Sequence, residues 1–199
     1  MASRQPGRES RFEPVVEQAA IGRIKARKGA RFPAGGVMRD GLRVALFEPD
    51  RPHNLGMMLR LGACLDVAVD VIEPCGFPLD DRRIRFGALD YLARVEWCRH
   101  LGFDRFLDEV RGTKRRLVLL STAASLPYHR LAFRDDDILL LGRESAGVPD
   151  KVRDSVDCAV RVPLRPGLRS LNVVTAAAIV LGEALRQTGC LETLADVSP

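Results

Sequence analysis

The sequence predicts one α/β domain built on a parallel sheet flanked by helices, preceded by a basic extension. Three observations predict it. From Leu42 onward short apolar runs alternate with helical patterns, the signature of strands crossed over by helices. The 199 residues suffice for one well-buried α/β domain and a tail, and fall short of two typical domains. Finally, all the excess charge is at the start. Residues 1–40 hold nine of the 31 Lys/Arg and four of the 26 acids, which leaves 22 of each for the remainder. The expected division is a basic, flexible extension over 1–40 and a domain over 41–199.

Within the extension Gly, Pro and Arg are mixed with little apolar periodicity, apart from a short helical pattern near 15–26. Such an arm suits non-specific, salt-sensitive contact with phosphates, and equally a solvated tail without a partner. Strands are expected near 43–47, 67–72, 94–97, 116–121, 138–141 and 159–162, each a short apolar or β-branched run. The first helix is expected to follow Asn54 as its N-cap, with Leu55, Met58, Leu59, Gly62 and Leu65 on one face. A short helix over 103–110 precedes the fourth strand, and another starts at Pro149, a residue suited to the first helical position. The last helix, about 171–186, is apolar nearly all round, so it must be buried on more than one side. In a domain this small, a subunit interface is a reasonable second surface for it.

Composition excludes several classes. The hydrophobic fraction of 46% and charged fraction of 29% fit a globular chain rather than a disordered one. No apolar run reaches membrane-spanning length, and no apolar segment follows the N-terminal arginines as a secretory signal requires, so a cytoplasmic protein is expected. Cys64, Cys75, Cys98, Cys158 and Cys190 are too scattered for a zinc motif and read as reduced core thiols. His53, His100 and His129 have no metal-ligand spacing either, and no metal is expected.

In parallel α/β sheets ligands bind beyond the carboxyl ends of strands, so the loops after the strands carry the chemical information. Three are unusual. The first, FEPDRPHNLGMMLR over 47–60, leads into a helix whose first backbone N–H groups can receive an anion, or which is simply a capped turn. The second, LLLGRESAGVPDKV over 139–152, sets Glu144 between Gly142 and Gly147, which permit close backbone approaches. It matches neither the dinucleotide fingerprint nor the P-loop. The third, VPLRPGLRSLNVV over 162–174, is stiffened by two prolines and ends in Ser170 and Asn172, where helix caps belong. Capping and ligand binding are compatible there, because a rigid loop holds a ligand well.

Taken together and in order, the three segments resemble the signature motifs of the SPOUT RNA methyltransferases. Asn54, Gly56 and Arg60 match N-x-G-x-x-x-R; Gly142, Glu144 and Gly147 match G-x-E-x-x-G; Ser170, Leu171 and Asn172 close the proline-rich loop. FEP at 47–49, IEPCGFPLDDRRIRFGALDY at 72–91 and LLGRESAGVP at 140–149 further resemble the small subgroup that methylates the ribose of the tRNA wobble nucleotide. The resemblance covers about 42–187.

It implies a C-terminal deep trefoil knot, a homodimer, a tRNA substrate and S-adenosyl-L-methionine as methyl donor. No membrane and no metal are implied. The donor would be held by Leu120, Gly142, Val162, Leu164, Ser170 and Leu171. Arg60 would be the main catalytic residue, with Asn54 positioning it or the ribose, and Glu144 and Asn172 setting a polar frame. Arg82, Arg83, Arg85, Arg165 and Arg169 are expected to hold RNA phosphates. Departures at His53, Leu55, Met57, Arg143 and Ala146 sit beside the substrate and bear on which RNA is used. The alternatives are 2′-O-methylation of ribosomal RNA or another tRNA position, and a non-catalytic RNA-binding protein of the same fold.

Overall fold

A computed structural model of the chain describes residues 41–195, so the expected extension over 1–40 lies outside the described residues. In chain order the elements are β1 (Arg43–Phe47), α1 (Pro52–Leu65), β2 (Ala68–Ile72), α2 (Arg82–Ala88), β3 (Trp97–His100), α3 (Phe103–Thr113) and β4 (Leu117–Leu120). There follow β5 (Leu126–Pro127), β6 (Ile138–Leu141), α4 (Asp150–Arg153), β7 (Cys158–Arg161), α5 (Val173–Thr188) and α6 (Cys190–Ala195). The strands form one sheet in the order β3-β2-β1-β6-β4-β7-β5, with every pairing parallel.

Strands covered on both faces read as continuous apolar runs, as ILLL does here and as VALF does after the buried Arg43. Alternate side chains go to opposite faces. Val44, Leu46, Val69, Val71, Val118, Leu139 and Leu141 pack with Leu55, Met58 and Leu59 of α1 and with Ala177, Val180, Leu181, Ala184 and Leu185 of α5. On the other face Ala45, Phe47, Ile72, Leu117, Leu119, Ile138 and Leu140 pack with Phe103, Phe106, Leu107 and Val110 of α3 and Val152 of α4. Two helix layers thus sandwich the sheet. At about 25 cal/mol per Å² of apolar surface removed from water, these two cores dominate the stability.

Several sequence expectations are corrected. The third strand runs over Trp97–His100, not 94–97, because Arg94 and Val95 close a 3-10 turn on the Tyr91 carbonyl. The first helix starts two residues before Asn54: Arg51 occupies the N-cap position without a side-chain bond, Pro52 opens the helix, and Asn54 is buried inside it. At the fourth helix Pro149 is the N-cap residue, so the helix begins one position later. The expectation for α5 is not among these: within the chain the helix buries one side, and Ile179 on the opposite side is 37% exposed, where a second surface would sit. Cys64 is exposed rather than a core thiol, although all five cysteines are free. No described helix is long and apolar enough to cross a membrane.

Candidate active site

Loops after β4, β6 and β7 converge with the start of α1 on one cavity of about 650 Å³ at the carboxyl ends of the strands. Pockets of this size hold small organic ligands. The walls include Leu120, Gly142, Val162, Leu164, Ser170 and Leu171, the six residues expected to bind a cofactor, together with Asn54, Glu144 and Asn172. Arg60 is the exception. It lies six residues beyond Asn54 on α1, about 9 Å along the axis at 1.5 Å per residue. It is half-buried, with its guanidinium 5.3 Å from the Tyr91 ring centroid, and it does not line the cavity.

A chain of hydrogen bonds ties the three polar motif residues together. Asn172 Nδ2 donates to Asn54 Oδ1 at 3.2 Å, and Asn54 Nδ2 donates to Glu144 Oε1 at 3.0 Å. Asn172 Oδ1 also accepts from the Val174 N–H at 2.9 Å, so the expected cap of the last helix is present and the same amide faces the site. Ser170 lines the cavity but does not cap the helix.

Gly142 is needed because a Cβ there would lie 2.5 Å from the carbonyl carbon of Gly147. Arg143 and Gly147 exchange two backbone hydrogen bonds of 2.9 Å across this tight turn, and Gly147 takes φ +67°. The turn is braced against the loop after β1. The Asp50 N–H donates to Glu144 Oε2 at 3.1 Å, the Ser145 hydroxyl and N–H donate to Asp50 Oδ2, and Arg143 pairs with Glu48. Burial first, and then the facing Asp50 carboxyl, hold the Glu144 carboxyl above the usual carboxylate range. Asp50, hydrogen-bonded to Glu144 and Ser145, is held below it.

Sequence reasoning missed Asp50 and Arg51. Asp50 braces the loop and Arg51 lines the cavity, and both stand inside the first motif segment. Arg169 also lines the cavity, while Arg82, Arg83, Arg85 and Arg165 are exposed outside it.

A second polar cluster lies inside the sheet. Arg43 makes bonds of 2.8 and 2.9 Å to the two Asp70 oxygens, and His100 Nε2 lies 2.8 Å from Asp70 Oδ1. Ligand-type atoms of Asp70, Cys98 and His100 fall within 4.8 Å of one another, yet a metal cation there would face the buried Arg43 guanidinium. Burial opposes protonation of His100, but its bond to Asp70 outweighs that and pushes the imidazole up to about 9.

The fold and site thus define a parallel α/β protein with its ligand cavity built from the glycine turn, the proline-rich loop and the first helix. The sequence model of the SpoU rRNA Methylase family matches residues 41–182. A tRNA (cytidine(34)-2'-O)-methyltransferase of Beijerinckia indica is 57% identical over 153 residues, 77% of this chain and 96% of that protein. A solved structure described as giving insight into 2-OH methylation of C/U34 on tRNA is 32% identical, with TM-score 0.70 over 74% of this chain and 96% of its own. A SpoU methyltransferase of Streptomyces viridochromogenes, in complex with AdoMet, shares the fold at 23% identity, with TM-score 0.72 over 78% of this chain and 65% of its own. The chain belongs to the SpoU rRNA methylase family.

Proposed function

We propose that this protein transfers a methyl group from S-adenosyl-L-methionine to a ribose 2′-hydroxyl of tRNA, at the wobble nucleotide 34. The observation that carries the reading is the convergence of all six expected cofactor residues with Asn54, Glu144 and Asn172 on one cavity. The relatives' named activity supports the substrate.

The cavity's donor set fits the methyl donor. Leu120, Val162, Leu164 and Leu171 offer apolar surface to an adenosine, Ser170 and Asn172 offer polar groups, and the Gly142 turn lets backbone approach. When bound, the donor supplies a methyl on a sulfonium that is already electrophilic, so no metal is required. What the protein must add is alignment and charge stabilisation for the attacking oxygen. Asn54, fixed from both sides by Glu144 and Asn172, presents a rigid amide at the cavity edge. Arg60 on the same helix is the proposed catalytic residue. A guanidinium is too basic to serve readily as the base, so its role is to orient the ribose and stabilise the developing alkoxide.

The finer architecture belongs to this reading as well. The strand order, with β7 between β4 and β5, supports a C-terminal trefoil knot of the SPOUT kind. The exposed Ile179 on α5 supports burial of that helix in a homodimer. A cytoplasmic location follows from a tRNA substrate. The basic residues 1–40 form an extension that adds RNA affinity through phosphate contacts; deleting them is expected to weaken tRNA binding and flatten its salt dependence, and an unchanged salt slope in binding titrations refutes the role.

The deciding experiment is transfer from labelled S-adenosylmethionine to bulk tRNA and to ribosomal RNA, followed by nuclease digestion to locate the 2′-O-methyl nucleotide. A product at position 34 is expected; a product elsewhere overturns the substrate but keeps the reaction. In the same assay Arg60→Ala is expected to keep cofactor binding and lose most turnover, about 100-fold or more as for other groups acting in the transition state. Full activity of that variant removes Arg60 from catalysis.

A further inference from the structure

Among the described residues Phe86 is the most exposed large apolar side chain, at 74%. It projects from α2 among Arg82, Arg83 and Arg85, and its ring centroid lies 6.3 Å from that of His53, the residue immediately before Asn54. Phe86 is not a core residue out of place. Helix α2 is seated by direct backbone contact with α1: a Cβ on Gly56 would come 2.3 Å from the Ile84 carbonyl oxygen, and one on Gly87 2.8 Å from the His53 carbonyl oxygen. Ile84, Gly87 and Ala88 are turned inward by that contact, and Phe86 is turned out.

The charges around the ring point to the occupant. Arg83 is committed to Asp81, through bonds of 3.0 and 2.6 Å. Arg82 and Arg85 are exposed and make no ion pair with a described residue. An exposed aromatic face beside exposed guanidinium groups matches unpaired RNA, whose bases stack on aromatic rings and whose phosphates pair with arginine. A second copy meeting this face about a two-fold axis would set the arginines against each other.

We propose that Phe86 and His53 form a stacking platform for an unpaired base next to the target nucleotide, with Arg82 and Arg85 holding the flanking phosphates. The assignment rests on the RNA methyltransferase reading above, and Phe86 acts as an RNA-positioning residue rather than a catalytic one. His53 directly precedes Asn54 in the chain, and Asn54 lines the cavity, so the pair of rings starts one residue from a cavity residue.

The test compares the full-length protein with Phe86→Ala and Phe86→Trp, all of which fold because the side chain is exposed. Phe86→Ala is expected to raise KM for tRNA about tenfold or more, the effect of losing one base–aromatic stack, with kcat and S-adenosylmethionine affinity close to the parent. Phe86→Trp is expected to restore KM. Binding of an anticodon stem-loop RNA, followed by fluorescence anisotropy without methyl donor, separates this surface from the catalytic reading: weakened binding by Phe86→Ala supports the platform even if the parent transfers no methyl group. Unchanged KM and RNA affinity in Phe86→Ala overturn the proposal. So does loss of self-association in sedimentation with RNA affinity intact, which would make the face a contact between copies.

Discussion

The protein holds two polar clusters of similar size that behave differently. Arg43, Asp70 and His100 are sealed in the sheet at 2%, 0% and 2% exposure, and each is shifted in its ionisation. Asn54, Glu144 and Asn172 bridge three separate chain segments and open on a 650 Å³ cavity that none of the first group lines. Displaced ionisation therefore does not by itself mark a working site. Access does: the sealed cluster can only hold β1, β2 and β3 together, whereas the open one can meet a ligand.

That contrast is sharpest in stability. Asp70→Ala would leave the buried Arg43 guanidinium with only the longer contact to Glu96 at 3.7 Å and would let the His100 imidazole lose its proton, and is expected to lower unfolding free energy by about 3–5 kcal/mol in urea titrations. Little loss there would show that the cluster is not sealed. A smaller effect should follow pH. His100 is raised in the folded protein from about 6.5, so its contribution is complete below that value and disappears as pH rises through about 9. Stability is expected to fall over this window by less than in Asp70→Ala, since Arg43 still pairs with Asp70; a flat profile measured against pH would remove the charged histidine from the account.

On the open cluster the effects divide between stability and ligand. Asn172→Ala loses the cap and should cost about 1 kcal/mol. Asn172→Asp keeps the cap acceptor but not the donation to Asn54, so stability should stay within a few tenths of a kcal/mol of the parent while S-adenosylmethionine affinity falls. Isothermal titration with both variants checks this, and equal affinities would show that Asn172 serves the helix alone.

Most of the sheet was legible because β1 and β6, buried on both faces, are apolar runs broken only by Arg43, with the bounds expected of them. Strand β3 was misplaced because WCRH does not look buried: Cys98 and His100 face inward, and His100 is tolerated there only through Asp70. Helix α2 left no periodic trace. Its three arginines are exposed, and it is seated by two glycines rather than an apolar stripe. At the site, motif resemblance located Asn54, Glu144, Asn172 and the six residues expected to hold a cofactor, all of which line the cavity. It could not show that Asp50 braces Glu144 from 94 residues away, since a contact of that separation is created by folding. Nor could it show Arg60 resting on Tyr91 outside the cavity wall.

The bracing of the glycine turn gives the cavity unequal walls. On one side Glu48, Asp50, Arg143, Glu144 and Ser145 lock two loops into a single unit. On the other, residues 165–170 are exposed, and the segment's backbone is held internally by the bond from the Leu168 N–H to the Arg165 carbonyl. Widening the cavity at the braced wall means breaking an ion pair and several hydrogen bonds together; widening it at the proline-rich loop means breaking far fewer. The two walls therefore differ in stiffness, and the side of the cavity at Arg169 and Ser170 is the one with fewer bonds to give.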